Sequence, residues 1–336
     1  MEVDSYALER LELPISPEFT RVTTVVRLRG GGEEGTGEDV TYTAENHPPP
    51  TELPLAGTHT LDSFSELLQR LTLFEDEPGL EAYRDYRRWA FESAALDLAL
   101  RQAGRSLAEA LGREPRPVTF VASKRLNDPP SAAQLRPWLD LYPGLRFKLD
   151  PTSSWDETVF AELAATGAVD SLDLKGAYEG TPVDQPPDPE LYRRVVETFP
   201  EAWIEDPALS EETRPILEPH AERVTWDAPI HSVEDIEALP WPPRALNIKP
   251  SRFGSVGRLF EAYDYAAERG MLLYGGGQFE LGPGRGQIQY LASLFHPDSP
   301  NDVAPGGYNA SEPQPGLPES PLVPQPARVG FRWGAD

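Results

Sequence analysis

The stretch Ala245-Leu246-Asn247-Ile248-Lys249-Pro250-Ser251-Arg252-Phe253-Gly254 decides the fold of this chain. Its first four residues form a short, largely apolar run that is typical of a buried strand. Lys249 follows directly, and the proline after it marks the point where the strand gives way to a loop. A charged residue therefore ends a buried strand, and the same pattern recurs elsewhere in the sequence.

After Pro115, short apolar strands alternate with helical segments, which is typical of repeated βα units and a parallel sheet. The predicted strands cover residues 118–122, 145–149, 169–174, 202–204, 224–226, 245–248, 271–274 and 302–304. Eight strands close the common parallel barrel, whose active sites lie at the carboxyl ends of the strands. We therefore predict an α/β protein with a (β/α)8 TIM-like barrel over residues 116–310.

The N-terminal part has a different pattern. Two β-type runs, 21–28 and 39–44, flank Gly30-Gly31-Gly32 and predict a hairpin. From Leu61 the pattern is helical, and residues 80–111 repeat apolar positions at a spacing of roughly 3.6 residues. Residues 1–115 are therefore predicted to form an N-terminal α+β domain, and the Pro-rich residues 311–336 an extended tail that packs back on it.

Composition excludes several classes of protein. No apolar run approaches the length of a membrane span, although 39% of the 336 residues are hydrophobic. A net charge of -25 opposes binding to nucleic acid or anionic lipid, and the absence of cysteine removes disulfides and thiolate chemistry. The expectation is a cytoplasmic protein whose catalysis uses oxygen and nitrogen groups.

Five charged residues follow predicted strands and should face one end of the barrel: Lys148, Asp173, Glu205, Asp227 and Lys249. Three carboxylates that converge repel one another unless a cation holds them, and an all-oxygen site suits Mg2+. Burial and that cation disfavour the ammonium form of the two lysines, which makes a neutral amine available as a base. A small carboxylate whose adjacent carbon loses a proton to give a metal-stabilised enediolate is the expected substrate.

The order lysine, Asp, Glu, Asp, lysine on strands two to six resembles the muconate-lactonizing enzyme subgroup of the enolase superfamily. Residues 89–99 and 247–257 carry the same resemblance. It implies that residues 1–115 cap the barrel. It also implies that Asp173, Glu205 and Asp227 bind Mg2+, with Lys148 and Lys249 as an acid/base pair on opposite faces of the substrate.

The sequence departs from this subgroup at two positions. Arg146 stands where its Lys-x-Lys pattern begins, and Lys175 stands where an Asn is usual. Asp150 also resembles the strand-three Asp, but choosing it would leave too many strands before Lys249. Asp150 and Asp206 are interpreted as outer or solvated acids.

Further substrate contacts are predicted from the residues that surround the strand ends. Gly277 and Gln278 follow the seventh strand, where backbone N–H groups at a helix start can hold an anion. Arg146 and Ser251 lie beside the two lysines in sequence and are assigned to substrate contacts as well.

The resemblance favours an o-succinylbenzoate synthase-like dehydratase, a lyase. N-acylamino acid racemase, dipeptide epimerase and muconate cycloisomerase are the alternatives among lyases and isomerases. The mandelate racemase branch is disfavoured because no histidine has the expected placement. A non-catalytic barrel that binds a carboxylate is a further alternative, supported by Lys175, and a homo-oligomer is left open.

Overall fold

The computed structural model describes residues 1–16, 19–47, 52–178 and 183–334. Seven parallel strands form most of a barrel: β6 (Ala122–Lys124), β7 (Phe147–Leu149), β8 (Val169–Asp173), β9 (Trp203–Glu205), β10 (Val224–Thr225), β11 (Ala245–Ile248) and β12 (Leu272–Gly275). β6 to β10 are hydrogen-bonded in sequence order, and β11 pairs with β12. The predicted α/β class and barrel are therefore confirmed.

Residues 301 and 302 take the eighth position and close the barrel. The Asp302 amide donates to the Gly275 carbonyl at 2.8 Å, and the Val121 amide donates to the Asn301 carbonyl at 2.8 Å. On the other side, the Asn247 amide donates to the Trp226 carbonyl at 3.0 Å and links β11 to the end of β10. The carboxyl ends of all strands consequently lie at one end of the barrel, which we call the mouth.

Helices pack outside the strands: α4 (Arg136–Leu141), α5 (Glu157–Thr166), α6 (Pro189–Thr198), α7 (Arg214–Leu217), α8 (Val233–Glu237), α9 (Pro250–Phe253), α10 (Val256–Glu268) and α11 (Pro283–Phe295). The three helices that precede them in the chain belong to the N-terminal domain. Polar caps start several of them; the Asp156 carboxylate accepts from the Val159 amide at 2.9 Å, and the Ser255 hydroxyl accepts from the Arg258 amide at 3.2 Å.

The N-terminal domain contains β1 (Glu2–Val3), β2 (Ser5–Ser16), β3 (Phe19–Gly30), β4 (Glu33–Asp39), β5 (Gly57–Thr58), α1 (Leu61–Arg70), α2 (Ala82–Gln102) and α3 (Leu107–Leu111). β2, β3 and β4 form an antiparallel sheet. The predicted hairpin is present between β3 and β4, and Gly31 and Gly32 supply its turn with φ of 55° and 79°. The second predicted run is wrong in position, because β4 ends at Asp39, and β2 was not predicted.

Helix α2 lies directly on β4 because two glycines of that strand leave room for it. A Cβ at Gly35 would stand 2.2 Å from the Ala94 carbonyl oxygen, and one at Gly37 would stand 2.1 Å from the Ala90 carbonyl oxygen. The helix is buried on two sides: Ala90 and Ala94 join the N-terminal core, whereas Trp89 joins the barrel core. This explains why α2 is apolar around much of its circumference.

The tail returns to α2 through one buried carboxylate. Asp97 accepts hydrogen bonds from the amides of Thr36 and Phe331 at 2.9 and 2.8 Å and from Arg332 Nε at 2.9 Å. Asp97 therefore joins β4, α2 and the end of the chain. Among the described residues, no helix is long and apolar enough to cross a membrane.

We expect Asp97→Ala to lower the free energy of unfolding by about 3 kcal/mol, because it leaves buried amides without an acceptor. Urea denaturation measures this change. The matched control is Glu33→Ala, which removes the partly exposed Arg101–Glu33 pair on the same two elements. That control should cost less than about 1 kcal/mol. Equal losses in the two variants would contradict the role given to Asp97.

Stability should also fall in mild acid because of His296, which is buried beside the barrel closure. Its Nδ1 lies 2.6 Å from Asn301 Oδ1, and burial lowers its pKa to about 4. The unfolded chain takes up this proton near pH 6.5 and the folded chain only near pH 4, so falling pH favours unfolding across that window. The free energy of unfolding should drop by about 3 kcal/mol between these limits. In His296→Gln, this part of the pH dependence should be absent.

Candidate active site

The residues predicted at strand ends come together at the mouth. Asp173 and Glu205 are the last residues of β8 and β9 and are direct partners in the parallel register. Lys148 lies in β7, Asp227 lies two residues after β10, and Lys249 follows β11. Strand order agrees with the choice of Asp173, since β8 is the third barrel strand.

Three carboxylates form a compact group that we call the carboxylate cluster: Asp173, Glu205 and Asp206. One oxygen from each lies within 4.8 Å of the others. All three residues are fully buried, with 0% exposure. Such a group needs positive charge nearby.

Asp206 stands in the cluster where Asp227 was expected. The backbone of Asp206 is left-handed, with φ of 46°, which turns it toward the neighbouring strand. Its two oxygens accept from the amides of Asp227 and Ala228 at 2.8 and 2.9 Å. The interpretation of Asp206 as an outer acid therefore needs revision, because its carboxylate is part of the compact group.

The Asp227 carboxylate is paired with two cationic side chains, those of Lys249 and Arg252. Lys249 Nζ lies 2.6 Å from its Oδ2, and Arg252 Nε donates to its Oδ1 at 3.0 Å. The Tyr178 hydroxyl adds a contact of 3.2 Å to Oδ2. Although burial alone would raise it, Arg252 and Lys249 hold the pKa of Asp227 below its usual range. Its assignment as a metal ligand stays a prediction.

Lys148 is the cation nearest to the cluster. Its Nζ donates to Glu205 and lies 3.0 Å from Asp173 Oδ2 and 3.7 Å from Asp302 Oδ2. Burial acts to lower the pKa of Lys148, but Asp173 and Glu205 outweigh it and raise that pKa well above the ordinary value. The expected neutral amine is therefore not favoured in this arrangement, and Lys148 is an ammonium group here.

Two residues that the sequence analysis missed hold Glu205. The Tyr274 hydroxyl donates to Glu205 Oε2 at 2.5 Å, and Asn247 Nδ2 donates to the same oxygen at 3.2 Å. Tyr274 and Asn247 are register partners on β12 and β11. Sequence spacing could have indicated Asn247, because it precedes Lys249 by two residues and its side chain therefore lies on the same side of the strand.

Lys175 also contacts the cluster. Its Nζ lies 2.5 Å from Asp173 Oδ2 and 3.7 Å from Asp150 Oδ1. Its φ of 53° is unusual for a residue other than glycine. Burial alone would raise the pKa of Asp173, but Lys148 and Lys175 hold it below its usual range.

The pKa values of Asp206 and Glu205 shift in the opposite direction. Burial, with the charge of Asp227 adding to it, raises the pKa of Asp206 to about 7. Burial also raises the pKa of Glu205 to about 8, against the opposing effect of Lys148. If Asp173, Glu205 and Asp206 were all ionised, their negative charge would exceed what Lys148 and Lys175 balance, and the raised pKa values of Glu205 and Asp206 reflect this.

The structure does not bring Arg146 to the mouth. Its Nε donates to Asp170 Oδ1 at 2.9 Å, and Asp170 lies three residues before Asp173 on β8. Three residues of a strand span roughly 10 Å. Arg146 is therefore placed toward the opposite end of the barrel, where an ion pair with Asp170 accounts for it.

Gly277 packs within the barrel, whereas Gln278 belongs to the contact between the two domains. A Cβ at Gly277 would stand 2.5 Å from Glu280 Oε2, so a larger residue there would have to displace the Glu280 side chain. Gln278 Nε2 donates to the Tyr86 hydroxyl at 2.8 Å, and the Gln278 carbonyl accepts from Arg21 at 2.7 Å. Ser251 is buried in α9 beyond Lys249. Substrate contacts by these three residues stay predictions.

The donor set fits a hard divalent cation. The carboxylate cluster offers only oxygen and is buried, and its raised pKa values show that it lacks the positive charge needed to ionise fully. Mg2+ prefers carboxylate oxygen, and the cluster contains no nitrogen or sulfur donor that would favour zinc or copper. Asp173 and Glu205, with Asp206 or Asp227, would hold this ion.

Two curated relatives match most of the chain. The chain is 25% identical over 297 residues to o-succinylbenzoate synthase from Geobacillus stearothermophilus, covering 81% of this chain and 74% of that protein. It is 27% identical over 337 residues to N-succinylamino acid racemase from Thermus thermophilus, covering 90% and 86%.

Solved structures share the fold. A dipeptide epimerase from Methylococcus capsulatus complexed with Mg ion has a TM-score of 0.70 at 17% identity, with all of both chains covered (100% each). An enolase superfamily member from Listeria innocua has a TM-score of 0.65 at 20% identity, covering 91% of this chain and 86% of that one. The fold that the sequence resemblance implies is therefore confirmed, since these neighbours share it and one of them is named a member of the enolase superfamily.

Two family models match the chain along nearly its whole length. Residues 1–110 match the domain of unknown function (DUF8230) N-terminal domain, and residues 114–310 match the domain of unknown function (DUF8230) C-terminal domain. The chain therefore belongs to the DUF8230 family and is an enzyme with the fold of the enolase superfamily.

Proposed function

We propose that this enzyme removes the proton on the carbon next to a substrate carboxylate, as an o-succinylbenzoate synthase-like dehydratase. The observation that carries the proposal is the placement of Lys148 and Lys249 beside buried carboxylates at one mouth. β7 and β11 are the second and sixth strands of eight, so the two lysines approach from opposite sides of the barrel. A substrate between them has a lysine on each face.

Lys148 acts as the base in this proposal. Its ammonium group is held by Asp173 and Glu205, which fix the position of Nζ and can stabilise the proton after it is taken up. A bound Mg2+ would supply positive charge that stabilises the substrate carboxylate as its neighbouring carbon loses a proton, and that favours the neutral amine of a nearby lysine.

Lys249 faces the other side of the substrate. Asp227 accepts from it at 2.6 Å, and Arg252 neutralises the other oxygen of the same carboxylate. In a dehydratase, Lys249 remains a cation that stabilises developing negative charge. In a racemase, it delivers or removes a proton itself.

An N-succinylamino acid racemase is the second candidate, because the relative of that name covers 90% of this chain at 27% identity. Both reactions use the same pair of lysines. They differ in whether the abstracted proton returns to the carbon.

Proton exchange in deuterated water distinguishes these reactions, with N-succinyl amino acids and the o-succinylbenzoate synthase substrate as probes. If the enzyme racemises, Lys148→Ala and Lys249→Ala should each lose exchange with one enantiomer, and with opposite ones. If it dehydrates, Lys148→Ala should lose about 10²–10⁴-fold in turnover. NMR measures exchange and mass spectrometry the dehydration product.

The control is Lys124→Met. Lys124 lies at the mouth, but its Nζ donates to the carbonyls of Tyr308 and Ala310 at 2.6 and 2.9 Å and contacts no carboxylate among the described residues. That variant should keep most of the activity. Unchanged turnover of a confirmed substrate by Lys148→Ala would refute the assignment of Lys148 as the base.

Removal of divalent cations should abolish the reaction. After treatment with EDTA and desalting, we expect no proton exchange, and we expect added Mg2+ to restore it, because the carboxylate cluster otherwise repels a substrate carboxylate. Circular dichroism of the treated protein checks that the fold persists. Full exchange by protein that mass spectrometry shows to be metal-free would contradict a metal requirement.

A further inference from the structure

The chain has four lysines, and all of them lie at the mouth: Lys124, Lys148, Lys175 and Lys249. Every other cationic side chain, apart from the histidines, is an arginine. Lysine differs from arginine in having a compact ammonium group that can approach a single oxygen and leave it again. Lys175 shares this type and this location with the proposed acid/base pair, although no role has been given to it so far.

Both oxygens of Asp173 are already engaged. Lys175 Nζ lies 2.5 Å from Oδ2, and Lys148 Nζ lies 3.0 Å from that same oxygen. The Lys175 amide donates to Oδ1 at 3.1 Å. A divalent cation that binds Asp173 through Oδ2 must therefore displace one of the two ammonium groups.

The two ammonium groups differ in how firmly they are held. Lys148 is 2% exposed and is also bound by Glu205. Lys175 is 15% exposed, and a second acceptor lies within its reach, since Asp150 Oδ1 is 3.7 Å from its Nζ. Within the described part of the chain, Asp150 Oδ1 is buried and accepts no hydrogen bond. Lys148 also has Asp302 Oδ2 at 3.7 Å, but Glu205 holds it as well, so Lys175 is the easier of the two to displace.

We propose that the Lys175 ammonium group competes with the divalent cation for Asp173 and moves to Asp150 when the cation binds. This inference rests on the metal site of the proposed function. Lys175 neutralises Asp173 while the cation is away and becomes the partner of Asp150 once the cation is bound. Lys175 thereby lowers the affinity for the cation. Asp150 makes this decrease smaller, because it accepts the displaced ammonium group.

Isothermal titration calorimetry with MnCl2 and MgCl2 on chelator-stripped protein tests the competition. Lys175→Met should bind each cation at least about tenfold more tightly than the wild type, because a competing charge within a few ångströms has gone. Lys175→Gln should show the same direction and serves if the methionine variant does not fold. Lys124→Met removes a lysine of the same mouth and should change cation affinity less than about twofold.

Asp150→Asn tests the second half of the proposal. In the wild-type background it should weaken cation binding at least about tenfold, because the displaced ammonium group loses its acceptor. In the Lys175→Met background the same change should have a much smaller effect. A double-mutant cycle measures this coupling. Equal effects in both backgrounds would overturn the movement to Asp150.

The outcomes separate this inference from the proposed function. If the wild type binds cations and Lys175→Met binds them no more tightly, the competition is wrong while the metal site stands. If neither the wild type nor any variant binds Mn2+ or Mg2+, the metal site itself is refuted and the inference fails with it. Melting temperatures without cation confirm that each variant is folded.

Discussion

The burial of negative charge at the mouth is the constraint on which this structure depends. Each carboxylate taken out of water costs several kcal/mol unless a cation or a set of donors compensates it. Four fully buried acids share this problem: Asp173, Glu205, Asp206 and Asp227. Lysines, Arg252, backbone amides and the Tyr274 hydroxyl all converge on them. Such a concentration of opposite charges is costly to keep for stability alone, which favours a catalytic origin.

The same constraint fixes the N-terminal domain on the barrel. Arg21 is fully buried and donates to the carbonyls of Gln278 and Phe279 on the barrel side. Glu38 accepts from the amides of Gly282 and Gly284 at the start of α11, at 2.8 to 3.0 Å. Burial raises the pKa of Glu38, and hydrogen bonds from the Leu281 and Gly284 amides oppose that rise. Each domain thus supplies groups that the other leaves without a partner.

Much of the barrel could be predicted because one sequence pattern indicates both the buried strands and the functional residues at their ends. A short apolar run that ends in a charged residue marks both a buried strand and its functional end, as at Lys148, Glu205 and Lys249. β2 gave no such signal, because most of its side chains are partly or fully exposed. Arg146 was misplaced because alternation along a strand does not distinguish the two ends of a barrel.

Contacts within the cluster were less predictable, because they depend on backbone conformations that residue type does not reveal. Among the described residues, three other than glycine have positive φ, and all three follow barrel strands: Lys175, Asp206 and Phe279. A left-handed conformation costs about 1 kcal/mol in such residues. It is held here by neighbouring strands, since the Asp206 amide donates to Thr225 and its carbonyl accepts from Gly176. These turns aim Asp206 and Lys175 at Asp173, so packing of adjacent βα units, rather than local propensity, decides which charges meet.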